Sequence, residues 1–453
     1  MDDHIEVVTP APAGGSVADM LDARRLSPLQ LSVVALVASI LVLEGLSLQV
    51  LAYVTPSILT EWRVTKIEFA PAVGVTKFGM AAGALIGAKF GDWWGRKPII
   101  VGAALLFSIS TIACAAADSV TTLAALRLVT GLAFGASFPN AVALVAEWMP
   151  RRTISQAIGV MTAGIPVGGM IGAIITMLVL DRWGWQGCFV VGGGLPLALA
   201  MALVWWMPES PAWISRRGSS ARLKALLARA WPIEDRNWAP SSTNADVAPM
   251  PRESGIFTRS NVRTNVALWL GFFMNGFAVN GLLLWGTTAL TTMGVGLQTA
   301  IGLGVPYNIA SIAFTVGAGV IAARAGTKKV LLVLSTITFF ALMMSAALAT
   351  GTLTSPLGIG ALYVAAGGCM GGIQALLIVM ATHAYPIASR SMGVGVSSAV
   401  GRVSGILSGF VGGAILSVAP PSVFFALLSG TALLIVVSAL LAERHVARRA
   451  VAG

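Results

Sequence analysis

GDWWGRKP occupies residues 91–98. The run is hydrophilic and holds Asp92, Arg96 and Lys97 between two long apolar stretches, 67–90 and 97–117. Taken alone, it fits any tight basic turn. Between two segments of about 20 apolar residues each, it reads as the water-exposed turn of a helical hairpin that crosses a bilayer.

Composition extends that reading along the chain. Of the 453 residues, 56% are hydrophobic and 10% charged, and the mean hydropathy is +0.85. A soluble globular chain carries about 25% charged residues, so most side chains here never meet water. Twelve apolar segments can be read, at 29–58, 67–90, 97–117, 119–148, 153–181, 185–207, 262–291, 296–324, 328–350, 356–382, 390–418 and 421–443. The polar stretch 208–261, rich in Arg, Ser and Pro, divides them six and six. The expected fold is all-α, with a membrane-spanning six-helix bundle at 29–207 and a second, pseudo-symmetric one at 262–443. The polar first 28 residues read as a disordered tail with no signal-peptide pattern, and 444–453 as a second tail.

The formal net charge is +11. Its placement at helix ends excludes nucleic acid as the reason for it. With both termini cytoplasmic, the inner loops and tails hold most of the Lys and Arg, whereas the outer loops hold Arg63, Lys66 and Arg182. The opposite orientation inverts this bias, so cytoplasmic termini are expected. Cys114, Cys188 and Cys369 lie in apolar stretches without paired spacing and read as packing residues. His4, His383 and His445 form no cluster, and neither metal-ligand spacing nor a phosphate-binding glycine loop is present. No metal, no cofactor and no enzymatic activity are expected.

The halves look like copies of one another. EWMPRRTISQAIGV at 147–160 resembles HAYPIASRSMGVGV at 383–396, aligning Pro150 with Pro386 and Gly159 with Gly395. The same shift aligns Gly131 with Gly367 and Gly135 with Gly371. RAGTKK at 324–329 looks like a degraded copy of the 91–98 turn. Repeated bundles with a site at their interface are a common plan of secondary transporters.

The 91–98 turn resembles the loop joining helices two and three of the major facilitator superfamily. RLVTGLAFGASFPNAVALVAEWMP at 127–150 is similar to helix four of that superfamily's aromatic acid:proton symporters. AYPIASRSMGVGVSSAVGRVSGILSG at 384–409 is similar to their tenth loop and eleventh helix, and PESP at 208–211 fits as well. The resemblance spans all twelve helices. It implies uptake of protocatechuate, hydroxybenzoates, benzoate or related acids together with protons. One departure stands in the first helix, where the family usually carries Asp-Gly-aromatic-Asp. This chain has Glu44-Gly45-Leu46-Ser47. The first acid survives as Glu44 and the second is replaced by Ser47, which bears on both the substrate and the number of protons.

Ionisable side chains inside a membrane cost about 2.5–3.5 kcal/mol on insertion scales and mark function by default. Four stand within spans: Glu44, Lys77, Arg127 and Arg402. At 1.5 Å per residue, Glu44, Lys77 and Arg127 share the outer half of the hydrocarbon, and Arg402 lies near its middle. Glu44 is expected to carry the proton, with Arg127 or Lys77 biasing its release; the alternative is a static ion pair that fixes packing. Arg402 is expected to grip the substrate carboxylate with its two-pronged guanidinium; the alternative is a structural arginine bonded to helix carbonyls. Asn140, Asn275, Asn280, Asn308 and Gln374 supply polar groups, and Tyr53, Phe138, Phe277, Trp285 and Tyr307 supply rings, for an amphipathic substrate cavity.

Asp92, Arg96, Lys97, Glu147, Arg151 and Arg152 fall at the inner ends of helices and are expected to form a charge cluster that gates that side. Gly131 with Gly135, Gly367 with Gly371, and Gly168 with Gly172 are spaced for close helix approach, and Pro166 interrupts its helix. The expected function is secondary active transport by alternating access, with proton-coupled uptake of a small organic anion, an aromatic carboxylate first among candidates. The competing reading is a proton-driven antiporter that exports amphipathic compounds. The expected setting is a bacterial inner membrane, with protons, the anion and lipid as partners and the monomer as the working unit.

Overall fold

The computed structural model describes residues 17–231, 257–258, 261–350, 356–385 and 390–442. These residues form helices and connecting turns, with no strand among them. A short helix, α1 (Val17–Ala23), precedes the first long ones: α2 (Pro28–Trp62), α3 (Lys66–Trp94), α4 (Arg96–Ala113), α5 (Val120–Trp148) and α6 (Ile154–Trp206). Two short helices follow, α7 (Pro211–Arg216) and α8 (Ser220–Ala230). The second half comprises α9 (Val262–Thr292), α10 (Leu297–Gly302), α11 (Gly304–Ala325), α12 (Thr327–Leu348), α13 (Pro356–Ala384), α14 (Arg390–Val418) and α15 (Pro421–Leu441).

Eleven helical stretches among the described residues are long and apolar enough to cross a membrane, counting α10 and α11 as one. The twelfth span is inside α6, whose 53 residues are broken at Gly184, with φ 62° and ψ −172°. An L side chain rarely adopts that backbone, and glycine does so without strain. The chain reverses there, so α6 holds both the 153–181 and 185–207 segments. The expected all-α, twelve-span membrane fold is therefore the observed one.

Helix pairing repeats between the halves. The first span packs on the fifth (α2 on the first part of α6), the second on the fourth (α3 on α5), and the third on the sixth (α4 on the second part of α6). The second half repeats this as α9 on α14, α11 on α13 and α12 on α15. The glycine pairs seen in the sequence lie at these seams: Gly131 and Gly135 meet the Thr76 and Met80 carbonyls, while Gly367 and Gly371 meet Tyr307 and Ser311. Small residues let helix axes approach closely.

The face of the bundle that carries Pro28 and Leu441 is called the terminal face below, and the opposite one the distal face. Hydrogen bonds cross between the halves toward the distal face. Lys66 at the start of α3 donates to the Leu416 carbonyl of α14 at 2.9 Å, and Gln49 of α2 pairs with Asn308 of α11. Gly409 and Gly413 of α14 receive Gly74 and Ala70 of α3 in the same region.

Two regions expected to be plain polar segments hold helices. Residues 17–27 were read with the disordered tail, but Val17, Met20 and Leu21 of α1 are buried, a spacing of three and four that puts them on one helical face. Residues 1–16 lie outside the described residues. Within the 208–261 loop, α8 buries Leu223, Leu226 and Leu227 in a cluster shared with the first bundle, and packs on α7 and α2.

Candidate functional site

A small cavity of about 80 Å³ lies at the junction of the halves. Gly45, Leu48 and Gln49 of α2, Thr76 and Lys77 of α3, and Arg127 of α5 line it from one side. Asn280, Leu283 and Leu284 of α9 line it from the other. The walls are mostly apolar, with a few polar groups and two cations.

Arg127 is 1% exposed. Its Nη2 donates to the Ser47 carbonyl at 3.5 Å, and its Nε and Nη1 have no hydrogen-bond partner. Lys77 is half-buried and within electrostatic reach of both Arg127 and Arg402. Arg402 reaches from α14 across the junction, its guanidinium carbon 5.6 Å from the centre of the Phe138 ring. Lys77 and Arg127 thus line the cavity, while Arg402, exposed on α14, lies outside its lining. Among the described residues, no carboxylate forms an ion pair with any of them.

Glu44 is not beside them. Its side chain is 2% exposed and turns into the first bundle, toward Ser137 and an apolar recess lined by Leu43, Phe107, Pro196 and Leu203. Neither of its oxygens nor Ser137 Oγ makes a hydrogen bond. Ser47, standing where the family carries its second acid, faces Thr111 Oγ1 at 3.2 Å.

The distal end of the cavity is closed by neutral polar groups. Gln49 Nε2 donates to Asn308 Oδ1 at 3.3 Å, and Asn308 Nδ2 donates back to Gln49 Oε1 at 3.1 Å. Tyr53 Oη donates to Gln49 Oε1 at 2.8 Å and to the Gly169 carbonyl at 3.2 Å. The Tyr307 ring lies 5.0 Å from that of Tyr363. Tyr53, Asn308 and Tyr307 are therefore brought together, along with Gln49 and Tyr363, which sequence reasoning missed.

The remaining expected binding residues are placed differently. Asn280 lines the cavity while its Nδ2 bonds the Gly276 carbonyl of its own helix at 2.8 Å. Asn275 Nδ2 donates to Gln374 Oε1 at 2.9 Å within the second bundle. Trp285 is fully buried, with Nε1 on the Gly409 carbonyl at 2.9 Å and Gly412 and Gly413 packed on its ring. Phe277 contributes its carbonyl to Ser408 Oγ and is half-buried. Asn140 bonds the Gly87 and Ala136 carbonyls, both at 2.8 Å, inside the first bundle.

The expected charge cluster forms at the terminal face. Arg96 pairs with Asp92 at 2.7 Å and with Glu147 at 3.2 Å, and Arg216 reaches Glu147 at 3.8 Å. Glu209, from the PESP run, completes it: its Oε1 accepts from the backbone N–H groups of Arg96 at 2.9 Å, Lys97 at 3.1 Å and Ser210 at 2.8 Å. A carboxylate on the first amides of α4 meets the positive end of that helix. Gly95 takes φ 107° to let Glu209 approach. Arg151 turns instead to α1, where its backbone N–H bonds Asp22 at 2.7 Å and its side chain lies 3.8 Å from Asp19. Arg152 donates to the Arg24 carbonyl at 3.0 Å. These contacts lie within the first half and its flanking helices. The matching loop of the second half, 386–389, is outside the described residues.

The fold, the repeat and the cationic cavity can be set beside known proteins. The family model of the Major Facilitator Superfamily matches residues 37–386. The chain belongs to this superfamily. Within it, the chain groups with the aromatic acid:proton symporters, as its sequence resemblance implied. It is 29% identical over 412 residues to the gallate transporter of Pseudomonas putida, covering 90% of each chain. It is 30% identical over 405 residues to the 4-hydroxybenzoate transporter PcaK of the same organism, covering 88% of this chain and 89% of that one. Among solved structures, the partially occluded inward-open xylose transporter XylE of E. coli superposes with a TM-score of 0.72 at 14% identity, over 92% of this chain and 99% of that one. A bacterial homologue of the human lysosomal transporter Spinster, inward-facing and unoccupied, gives 0.68 at 17% identity over 91% and 96%. This is a multi-pass membrane transporter of the superfamily, and neither its relatives nor its fold are those of an enzyme.

Proposed function

We propose that this transporter imports a small aromatic carboxylate together with protons, by alternating access, across a bacterial inner membrane. Supporting this most directly is the cavity between the halves: it is apolar enough for a ring and carries Lys77 and Arg127 without any carboxylate in its lining. Such a site favours an anion over a neutral or cationic amphiphile, which counts against the exporting antiporter. The gallate and 4-hydroxybenzoate transporters among the relatives carry substrates of that chemistry.

In this reading the terminal face is cytoplasmic, on the Lys and Arg bias of the loops. The Gln49–Asn308 and Lys66–Leu416 contacts then close the outside. Arg402, Arg127 and Lys77 attract the carboxylate, and Asn280, Gln49 and the tyrosines around them shape the ring's environment. Glu44 holds the transported proton. It is buried without a partner, so its charged form is costly there and its neutral form is favoured until water reaches it. The Asp92–Arg96–Glu147 cluster biases the inner gate, since contacts that differ between two states set their relative populations. One monomer contains every group invoked.

The test is uptake of labelled benzoate, 4-hydroxybenzoate and gallate into proteoliposomes holding only this protein. An inward pH gradient, acidic outside, should drive accumulation, and a protonophore should abolish it. Absence of uptake for every aromatic carboxylate, or uptake indifferent to the protonophore, overturns the proposal.

A further inference from the structure

The two walls of the cavity carry unlike polar groups. Lys77 and Arg127 line it from the first half, and the remaining polar side chains on it are Gln49, Thr76 and Asn280. Gln49 is engaged through both amide atoms, with Asn308 at 3.3 and 3.1 Å and with Tyr53 at 2.8 Å. Thr76 Oγ1 donates to the Ala72 carbonyl of its own helix at 3.4 Å. Asn280, on α9 of the second half, is half-buried and donates through Nδ2 to the Gly276 carbonyl at 2.8 Å. Only the NH₂ end of an amide can meet a carbonyl oxygen, so this bond fixes which way the side chain is turned. Its Oδ1, an acceptor, then has no donor among the described residues. Leu283 and Leu284, one turn further along α9, line the same wall and offer no polar group.

We infer that Asn280 reads a hydrogen-bond donor on the substrate's ring, at the end remote from the carboxylate. This rests on the proposed uptake of aromatic carboxylates and narrows it. The carboxylate goes to the wall that holds Lys77 and Arg127, and the far end of the ring then faces α9, where Asn280 Oδ1 is the free side-chain acceptor. At about 80 Å³ the space is narrow, so a ring entering it touches both walls. A hydroxyl or amine on that ring donates to Oδ1. An unsubstituted ring covers the acceptor and leaves it unpaired, and a methoxy group sets oxygen against oxygen. A site discriminates against an analogue that leaves its polar group buried without a partner. Because the cations and Asn280 belong to different halves, a ligand with both groups bridges them.

Calorimetry on the purified full chain at pH 7, where a carboxylic acid is ionised and a phenol keeps its proton, tests this. The probes are benzoate and 4-methoxybenzoate, which lack a ring donor, and 4-hydroxybenzoate and 4-aminobenzoate, which carry one. Each donor-bearing probe should bind tenfold or more tighter than either donor-free one, equivalent to about 1.4 kcal/mol. Asn280→Leu and Asn280→Ala should each cut that ratio below threefold. A ratio already below threefold in the parent chain overturns the inference and leaves the uptake proposal standing. A donor advantage that survives both substitutions assigns the recognition to another group and overturns the role of Asn280, as does loss of all binding in both variants. Failure of all four probes to bind the parent chain overturns the uptake proposal, and the inference falls with it.

Discussion

Gln49 and Asn308 exchange two hydrogen bonds across the junction of the halves, at 3.3 and 3.1 Å, in a buried setting toward the distal face. Each amide satisfies the other, and Tyr53 adds a third bond to Gln49. With the Lys66–Leu416 hydrogen bond, this reciprocal pair forms the polar part of the distal closure, beside the packing of α3 on α14.

Removing one member leaves the other's polar atoms buried and unpaired, at a cost of about 1–3 kcal/mol. Asn308→Leu is therefore expected to populate a state opened at the distal face, by roughly 5- to 150-fold relative to the parent. Spin labels at Ile67 and Val418, exposed ends of α3 and α14 in opposite halves, report it as a longer inter-label distance. An unchanged distance distribution would show that packing and the Lys66–Leu416 hydrogen bond hold this end shut without the amide pair.

Glu209 and Asp92 should separate stability from gating. Glu209 accepts the first two backbone N–H groups of α4 and that of Ser210, so Glu209→Ala leaves the first amides of α4 uncapped while Ser210 Oγ still caps α7. A loss of about 1–2 kcal/mol is expected from capping alone, read as a lower Tm and reduced membrane abundance. Asp92 is 59% exposed on its side chain and makes one ion pair with Arg96. An exposed pair contributes about 0–1 kcal/mol to stability, so Asp92→Asn should keep normal abundance while lowering uptake several-fold. Equal losses of abundance in both variants would assign Asp92 a folding role.

Much of this architecture was legible because hydrophobic length is a property of local sequence. Spans were readable as runs of apolar residues, and the break inside α6 as the charged Asp181–Arg182 pair followed by Gly184. The glycine pairs at 131/135 and 367/371 pointed correctly to close seams. What one-dimensional reading lacked was direction around each helix. A rise of 1.5 Å per residue gives the depth of Glu44 but not its neighbours. Gly45, Leu48 and Gln49 form the face of α2 on the cavity, and at 3.6 residues per turn Glu44 lies roughly a quarter turn from its centre. The sequence did not show that Glu44 turns into the first bundle while Gln49 meets the second. Glu209 was visible in PESP, yet its partners at Arg96 and Lys97 are too distant in sequence for its role to be read. Only three large apolar residues, Val17, Met20 and Leu21, mark α1, and they are lost among the residues around them.

Glu44 gives the last prediction, and its surroundings set the terms. A buried carboxyl with no cation paired to it and no hydrogen bond to either oxygen is at lowest cost in its neutral form. Gln has nearly the same shape, stays neutral and cannot exchange a proton. If Glu44 carries the coupled proton, Glu44→Gln should leave folding intact, because the uncharged amide replaces an uncharged acid. Uptake driven by an imposed pH gradient should fall at least tenfold, while exchange of labelled for unlabelled substrate at equal pH on both sides continues at near the parent rate. Loss of both activities would mean that Glu44 supports substrate binding or the rocking motion. Retention of both would move the proton-carrying step to another residue.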